Sequence, residues 1–394
     1  MKQAIYLDYA AATSLDPRAF KAMEPYLSAE FYNPSAVYQA ARKVRTVVEA
    51  ARGQVASVLG VKDQEIIFTA GGTEANNIAI HGVMSQFPDG NMVVSSIEHE
   101  SVLEPADNYE RRLAPVTEKG VVDLAALEQL IDERTVLVSI MYANNEIGTV
   151  QPLKQIAAII QKKRAQRSID DGRLFTGDYP LLFHTDACQA ANYLDLSVTR
   201  IGVDMMTLNG GKIYAMKQSG CLFFSKDIEL GSLTQGGGQE RSLRSGTENV
   251  ASLVAFATML QNVQKERKDE QQRLQQMRND IFATLSQNIP EILLNGDIKH
   301  RLPNNLNILA PGADGERLLM ELDELGLQVA TGSACTASND EPSHVLLALG
   351  LSRSEAAASI RMTLGRGVEQ SDVPEIISRL TTGIQRHMQY TGSE

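Results

Sequence analysis

Short apolar runs, each about one strand in length, alternate with stretches whose apolar residues recur at helical spacing. The runs Glu65 to Thr69, Met92 to Ser95, Val136 to Tyr142, Leu181 to Thr185, Asp204 to Thr207 and Gly220 to Phe224 read as buried strands, with Ala50 to Val58 and Ile78 to Val83 as helical segments. Strands apolar on both faces belong in a mainly parallel sheet covered on both sides, and the crossovers between them are expected to be right-handed. The fold class is therefore α/β. From about Ser252 to Ser286 helical spacing continues through a charged middle, Gln264 to Glu270, which predicts one long helix bridging two bodies. Beyond it, Asn305 to Leu309 and Gln328 to Ala330 as strands, with helical patterns around Arg317 to Leu322 and Asp372 to Met388, suggest a smaller α+β domain. Gln166 to Pro180 is polar and reads as a surface excursion.

Charge narrows the partners. With 37 Lys and Arg against 48 Asp and Glu, a formal charge of -11, nothing favours a duplex nucleic acid or an anionic membrane. No apolar run approaches membrane-spanning length and the first residues lack a secretory core, so a cytoplasmic location is expected. The three cysteines, Cys188, Cys221 and Cys335, are too few and too scattered for a disulfide framework. The six histidines lack metal-binding spacing, and no metal is expected.

Several polar residues fall at the ends of the apolar runs. Gly71-Gly72-Thr73 turns a strand into a helix, offering free backbone N–H groups and a hydroxyl to a phosphate, or forming an ordinary turn with Thr73 as its cap. Asp186 ends another run, where it could pair with a protonated ring nitrogen or cap a helix. Gln189 could reach a ring hydroxyl. Lys212 follows Asn209-Gly210-Gly211 after a third run. An imine-forming lysine, an aspartate at a strand end and a glycine-rich turn are what pyridoxal phosphate requires of a protein, although Lys212 could also be a solvated surface lysine. His99, after a fourth run, could stack on a planar cofactor and shuttle protons, or be structural.

Cys335 lies among small and polar residues, Thr331 to Asp340, which reads as a mobile loop carrying a reactive thiol. Cys188 and Cys221 read as buried hydrophobes. Arg361, flanked by apolar residues, needs an anion, either a ligand carboxylate or an internal salt bridge. Gln235 to Thr247, with Arg244 and Thr247, could bind an anion or be merely flexible.

Taken together, Tyr6 to Thr13, Asn33-Pro34-Ser35, Gly71 to Glu74, Glu98-His99, Asn144 to Gly148, His184 to Gln189, Gly236 to Thr247 and Gly332 to Thr336 closely resemble the group I cysteine desulfurases. These are fold type I enzymes of the class V aminotransferase superfamily. The resemblance implies a mainly parallel seven-stranded sheet in a large domain, residues 16–258, and a small domain, residues 1–15 and 259–394, carrying the cysteine loop. It implies a pyridoxal phosphate-dependent homodimer that converts L-cysteine to L-alanine and leaves a persulfide for an acceptor or iron–sulfur scaffold protein. By position, Cys335 takes the sulfur, Lys212 forms the Schiff base and His99 stacks on the ring and assists proton transfer. Asp186 meets the ring nitrogen, Gln189 the ring oxygen, and Gly72, Thr73 and Asn209 belong to the phosphate side. Asn145 contacts the ring and substrate, Arg361 holds the substrate carboxylate, and Thr247 reaches the phosphate from the neighbouring subunit.

One departure stands out. The family places Ser-Gly-His before the lysine, whereas this chain has Asn209-Gly210-Gly211, so a weaker phosphate grip is expected, partly offset by backbone N–H groups or Thr73. The rival readings are a selenocysteine lyase, another class V enzyme acting on an amino acid, or a noncatalytic sulfur-transfer partner.

Overall fold

A computed structural model describes residues 4–167, 179–332 and 341–391. Its centre is a seven-stranded sheet in the spatial order Ile66–Thr69, Gly220–Phe224, Met205–Asn209, Leu182–Asp186, Thr135–Ser139, Asn91–Ser95 and Glu110–Ala114. Gly220–Phe224 runs antiparallel to both its neighbours, and every other pairing is parallel.

Successive side chains along a strand point to opposite faces, and here both faces are buried. Ile67, Leu137, Leu182, Met205 and Leu222 pack on one side with Ile78, Ala79 and Val83 of the helix Gly72–Met84. Phe68, Val138, Phe183, Met206 and Phe223 pack on the other with the helices Gln39–Leu59 and Leu153–Arg167 and the first half of Val250–Asn288. Continuous apolar runs therefore became strands as expected. Glu110–Ala114 escaped the pattern because it is an edge strand with one neighbour, and its first four residues are partly or fully exposed.

The long helix is 39 residues. Its second half places Leu274, Met277, Ile281 and Leu285 in a separate core with Leu7, Ile308, Leu327, Ile360, Ile376 and Leu380. That core carries a three-stranded antiparallel sheet, in which Ser359–Thr363 lies beside Asn305–Leu309 with Arg361 opposite Asn307. The N-terminal strand Ile5–Tyr6 pairs with Leu327–Gln328, and Thr363 donates its amide to Leu7. This brings the segment after Tyr6 between the two cores.

Candidate active site

Six of the seven central strands point the same way, so their carboxyl ends share one edge, the place where open α/β sheets bind ligands. Thr69 leads into Gly71-Gly72-Thr73, Ser95 into His99, Leu182–Asp186 ends on its aspartate, and Asn209 leads into Lys212. These residues meet in a cavity of about 220 Å³, lined also by Ala10, Ala11, Ser101, Asn145, Cys188, Gln189 and Arg361.

Lys212 is not a solvated surface lysine. Its Nζ donates to the carbonyls of Ala10 at 2.8 Å and Ala11 at 2.6 Å, while Asn192 grips its own carbonyl. Gln189 Nε2 also donates to Ala10 O, at 3.0 Å. Asp186 is buried; its Oδ1 accepts the Cys188 amide at 2.9 Å, and its Oδ2 accepts from Asn76 Nδ2 at 2.7 Å. Asp186 caps no helix; its Oδ1 closes the turn that follows the strand, and the carboxylate faces the cavity.

His99 caps the helix Glu100–Ala106, its Nδ1 lying 3.0 Å from the Ser101 amide and 2.9 Å from Ser101 Oγ. Beside it, Glu98 is fully buried, and burial raises its carboxyl to about 8 although Ser95 and Met141 donate to Oε1. Its Oε2 has no partner among the described residues. Glu98 is therefore mostly protonated at neutral pH. His184, hydrogen-bonded to Ser139 and Thr207 inside the sheet, is pushed down to about 4 by burial and stays neutral.

The helix Gly72–Met84 is capped by Gly71 rather than Thr73, and Gly71 adopts a φ of 139°. Its first-turn N–H groups lack carbonyls within the helix, as at any helix start. A Cβ on Gly72 would stand 2.7 Å from Cys188 Sγ, so only glycine leaves this end of the cavity open. Asn209 accepts the Gly211 amide through Oδ1, and Lys217, which the sequence reading passed over, lines a second cavity with Gly71, Thr73, Asn209 and Gly211.

Arg361 is nearly wholly buried and has the internal salt bridge considered for it, with Asp8 at 2.7 Å, yet it also lines the cavity. The Asn145 carbonyl accepts from its Nη1, and Nε has no partner among the described residues. Thr247 is not brought to this cavity; it lines another with Glu240, Arg244 and Asn249. Arg244 is engaged by Glu74 at 3.0 Å. Cys188 and Cys221 are buried. Cys335 and most of the polar excursion lie outside the described residues. Asn76, Ser101 and Asp8 were also missed, since a helical Asn, a Ser and an N-terminal Asp carry no spacing signal of their own.

The family described as Aminotransferase class-V matches residues 5–376. The chain belongs to that family. Among class-V relatives, it is 37% identical to a cysteine desulfurase IscS of Dictyoglomus turgidum over 95% of this chain and 92% of that one. It is 38% identical to cysteine desulfurase IscS 1 of Archaeoglobus fulgidus, over 97% of each. Among solved structures, a NifS-like protein superposes with a TM-score of 0.88 at 29% identity, covering 96% of this chain and 99% of that one. The structure described as SspA in complex with cysteine gives 0.76 at 30% identity, covering 91% and 98%.

Proposed function

We propose that this chain is a pyridoxal phosphate-dependent cysteine desulfurase that passes sulfur, as a persulfide on Cys335, to an acceptor or iron–sulfur scaffold protein. One observation carries the reading: Lys212, Asp186, His99 and Arg361 line one cavity in a chain this similar to cysteine desulfurases. The cofactor fits these residues. Gly72 keeps the cradle open, the first-turn N–H groups suit a phosphate, and Asp186 suits a ring nitrogen. When bound, pyridoxal phosphate withdraws electrons from the substrate α-carbon.

The side chains divide the remaining work. Arg361 takes the substrate carboxylate while Asp8 and the Asn145 carbonyl hold its guanidinium. Lys212 Nζ accepts the α-proton, and Gln189 and Asn145 orient the ring and substrate. The Cys335 sulfur bonds to the substrate sulfur as the carbon–sulfur bond breaks, and the carbon takes up protons. Cysteine plus thiol thus becomes alanine plus persulfide, with no outside oxidant or reductant.

On the phosphate side, a Cβ at Gly211 would lie 3.4 Å from Asn209 Oδ1 and 3.7 Å from Lys217 Cγ. We assign Lys217 to the phosphate as the cation in place of the family's imidazole, alongside Thr73 and Asn209. Thr247, which lines a neighbouring cavity within one chain, is assigned to the partner subunit's phosphate in a homodimer. Residues 16–258 form the cofactor domain, residues 1–15 and 259–394 the smaller one, and the setting is cytoplasmic.

The test is an assay of purified protein for alanine and, with a thiol reductant, sulfide from L-cysteine, with and without added pyridoxal phosphate. Equal yields of both with the cofactor support the reading. Absence of both, in a protein that stays colourless with the cofactor, favours a noncatalytic partner.

A further inference from the structure

Asn76 is wholly buried in the helix Gly72–Met84 and belongs to no recognised motif. One atom of it joins two functional residues. Its Nδ2 lies 2.7 Å from Asp186 Oδ2 and 2.8 Å from Ser101 Oγ, and Ser101 Oγ lies 2.9 Å from His99 Nδ1. A continuous hydrogen-bonded path therefore runs from Asp186 to His99 through Asn76 and Ser101.

The direction of every bond on that path is determined. As a carboxylate, Asp186 can only accept, so the amide corner facing it must be N–H₂ rather than oxygen. The second hydrogen of that group goes to Ser101 Oγ, which keeps one lone pair and its own proton for His99 Nδ1. The backbone amide of Ser101 donates to the same nitrogen at 3.0 Å. Nδ1 must then hold a lone pair, so the serine hydroxyl donates to it and the neutral ring carries its proton on Nε2. The arrangement has a visible cost: Asn76 Oδ1 is buried with no partner among the described residues. Turning the amide over would aim oxygen at the Asp186 carboxylate, so the charge on Asp186 holds the amide in place.

We propose that Asn76 is a positioning residue: held by Asp186, it turns the Ser101 hydroxyl proton towards His99 Nδ1 and so reinforces the Nε2–H tautomer that the Ser101 amide sets. Resting on the desulfurase reading, this makes His99 a proton donor to the cavity in its neutral form and leaves removal of the α-proton to Lys212. The same carboxylate assigned to the cofactor ring nitrogen is thereby linked to the proton position on the histidine assigned to its face.

The experiment is ¹⁵N NMR of the full-length protein labelled at histidine, with the His99 ring signals assigned by loss in His99→Gln. The wild type should show Nδ1 unprotonated and Nε2 protonated in the neutral ring. Asn76→Leu, which keeps the volume, and Ser101→Ala, which cuts the path at its middle, should both move the Nδ1 signal. If the protein is an active desulfurase, Asn76→Leu should lower kcat about tenfold with KM for cysteine little changed. A proton on Nδ1 in the wild type overturns the proposal, as does an Nδ1 signal unmoved in both variants. The ring signals need no turnover, so an inactive protein with the expected tautomer would defeat the desulfurase reading and leave the relay standing.

Discussion

Arg361 Nη2 lies 2.7 Å from Asp8 Oδ1, joining the middle of a small-core strand to the N-terminal segment that also supplies the Ala10 and Ala11 carbonyls to Lys212. The carboxylate fixes one edge of the guanidinium, and Nε is left without a partner. Arg361→Lys keeps the charge but loses the planar fork. KM for cysteine should rise roughly thirtyfold, about 2 kcal/mol, with a smaller change in kcat. Steady-state kinetics check this, and an unchanged KM would remove Arg361 from the substrate site.

The Gly211 position gives a second prediction. Gly211→His should tighten pyridoxal phosphate binding, and Lys217→Met should weaken it roughly tenfold, the loss expected for one charged phosphate contact. Absorbance titration of the apoprotein measures both. A wild-type dissociation constant as low as that of Gly211→His would mean that the missing imidazole is fully compensated.

Glu98 makes stability depend on pH in a defined direction. Its folded-state value of about 8 lies above the ordinary 4.5, so between these values the folded protein holds a proton that the unfolded chain has released. Stability contributed at this site falls as pH rises through that window. Glu98→Gln, which cannot ionise, should lose less stability than the wild type between pH 5 and pH 8 in denaturant titrations. Parallel curves would sink this account.

His184 acts in the opposite sense. Its value is held near 4, below the ordinary 6.5, so the unfolded chain binds a proton first as pH falls. Stability should decline on acidification from about 6.5 towards 4. His184→Gln should flatten that acid limb of the urea midpoint against pH, and an unchanged limb would assign acid lability elsewhere.

Cys335→Ser should abolish both alanine and sulfide formation from cysteine while retaining the visible absorbance acquired with pyridoxal phosphate; Lys212→Ala should lose that absorbance. Sulfide release at the wild-type rate from Cys335→Ser would exclude the persulfide route.

Much of this site was legible because the chemistry sits where apolar runs end. Asp186, His99, Asn209 and Lys212 each follow a strand that the sequence marks clearly, and a parallel sheet gathers those ends at one edge. Asn76 was not legible, since its role depends on which helix face meets Asp186, and helical spacing alone does not say what lies opposite. Asp8 was hidden for a similar reason: its partner is 353 residues away, across the junction of two cores. Glu110–Ala114 lacked an apolar run because an edge strand with a half-solvated face needs none.

The helix Val250–Asn288 has one end packed under the sheet and the other in the small core, with a charged stretch between them. Its residues advance by about 100° each around the axis. Adding a single residue near Lys268 would therefore swing the apolar face of Leu274, Met277 and Ile281 through that angle, against a core that also holds Leu7, Ala143 and Tyr193. The phase of that rod has to agree with the pairs across the junction, Arg366 with Asp16 and Asn305 with Glu146 among them, for the two halves to meet in register.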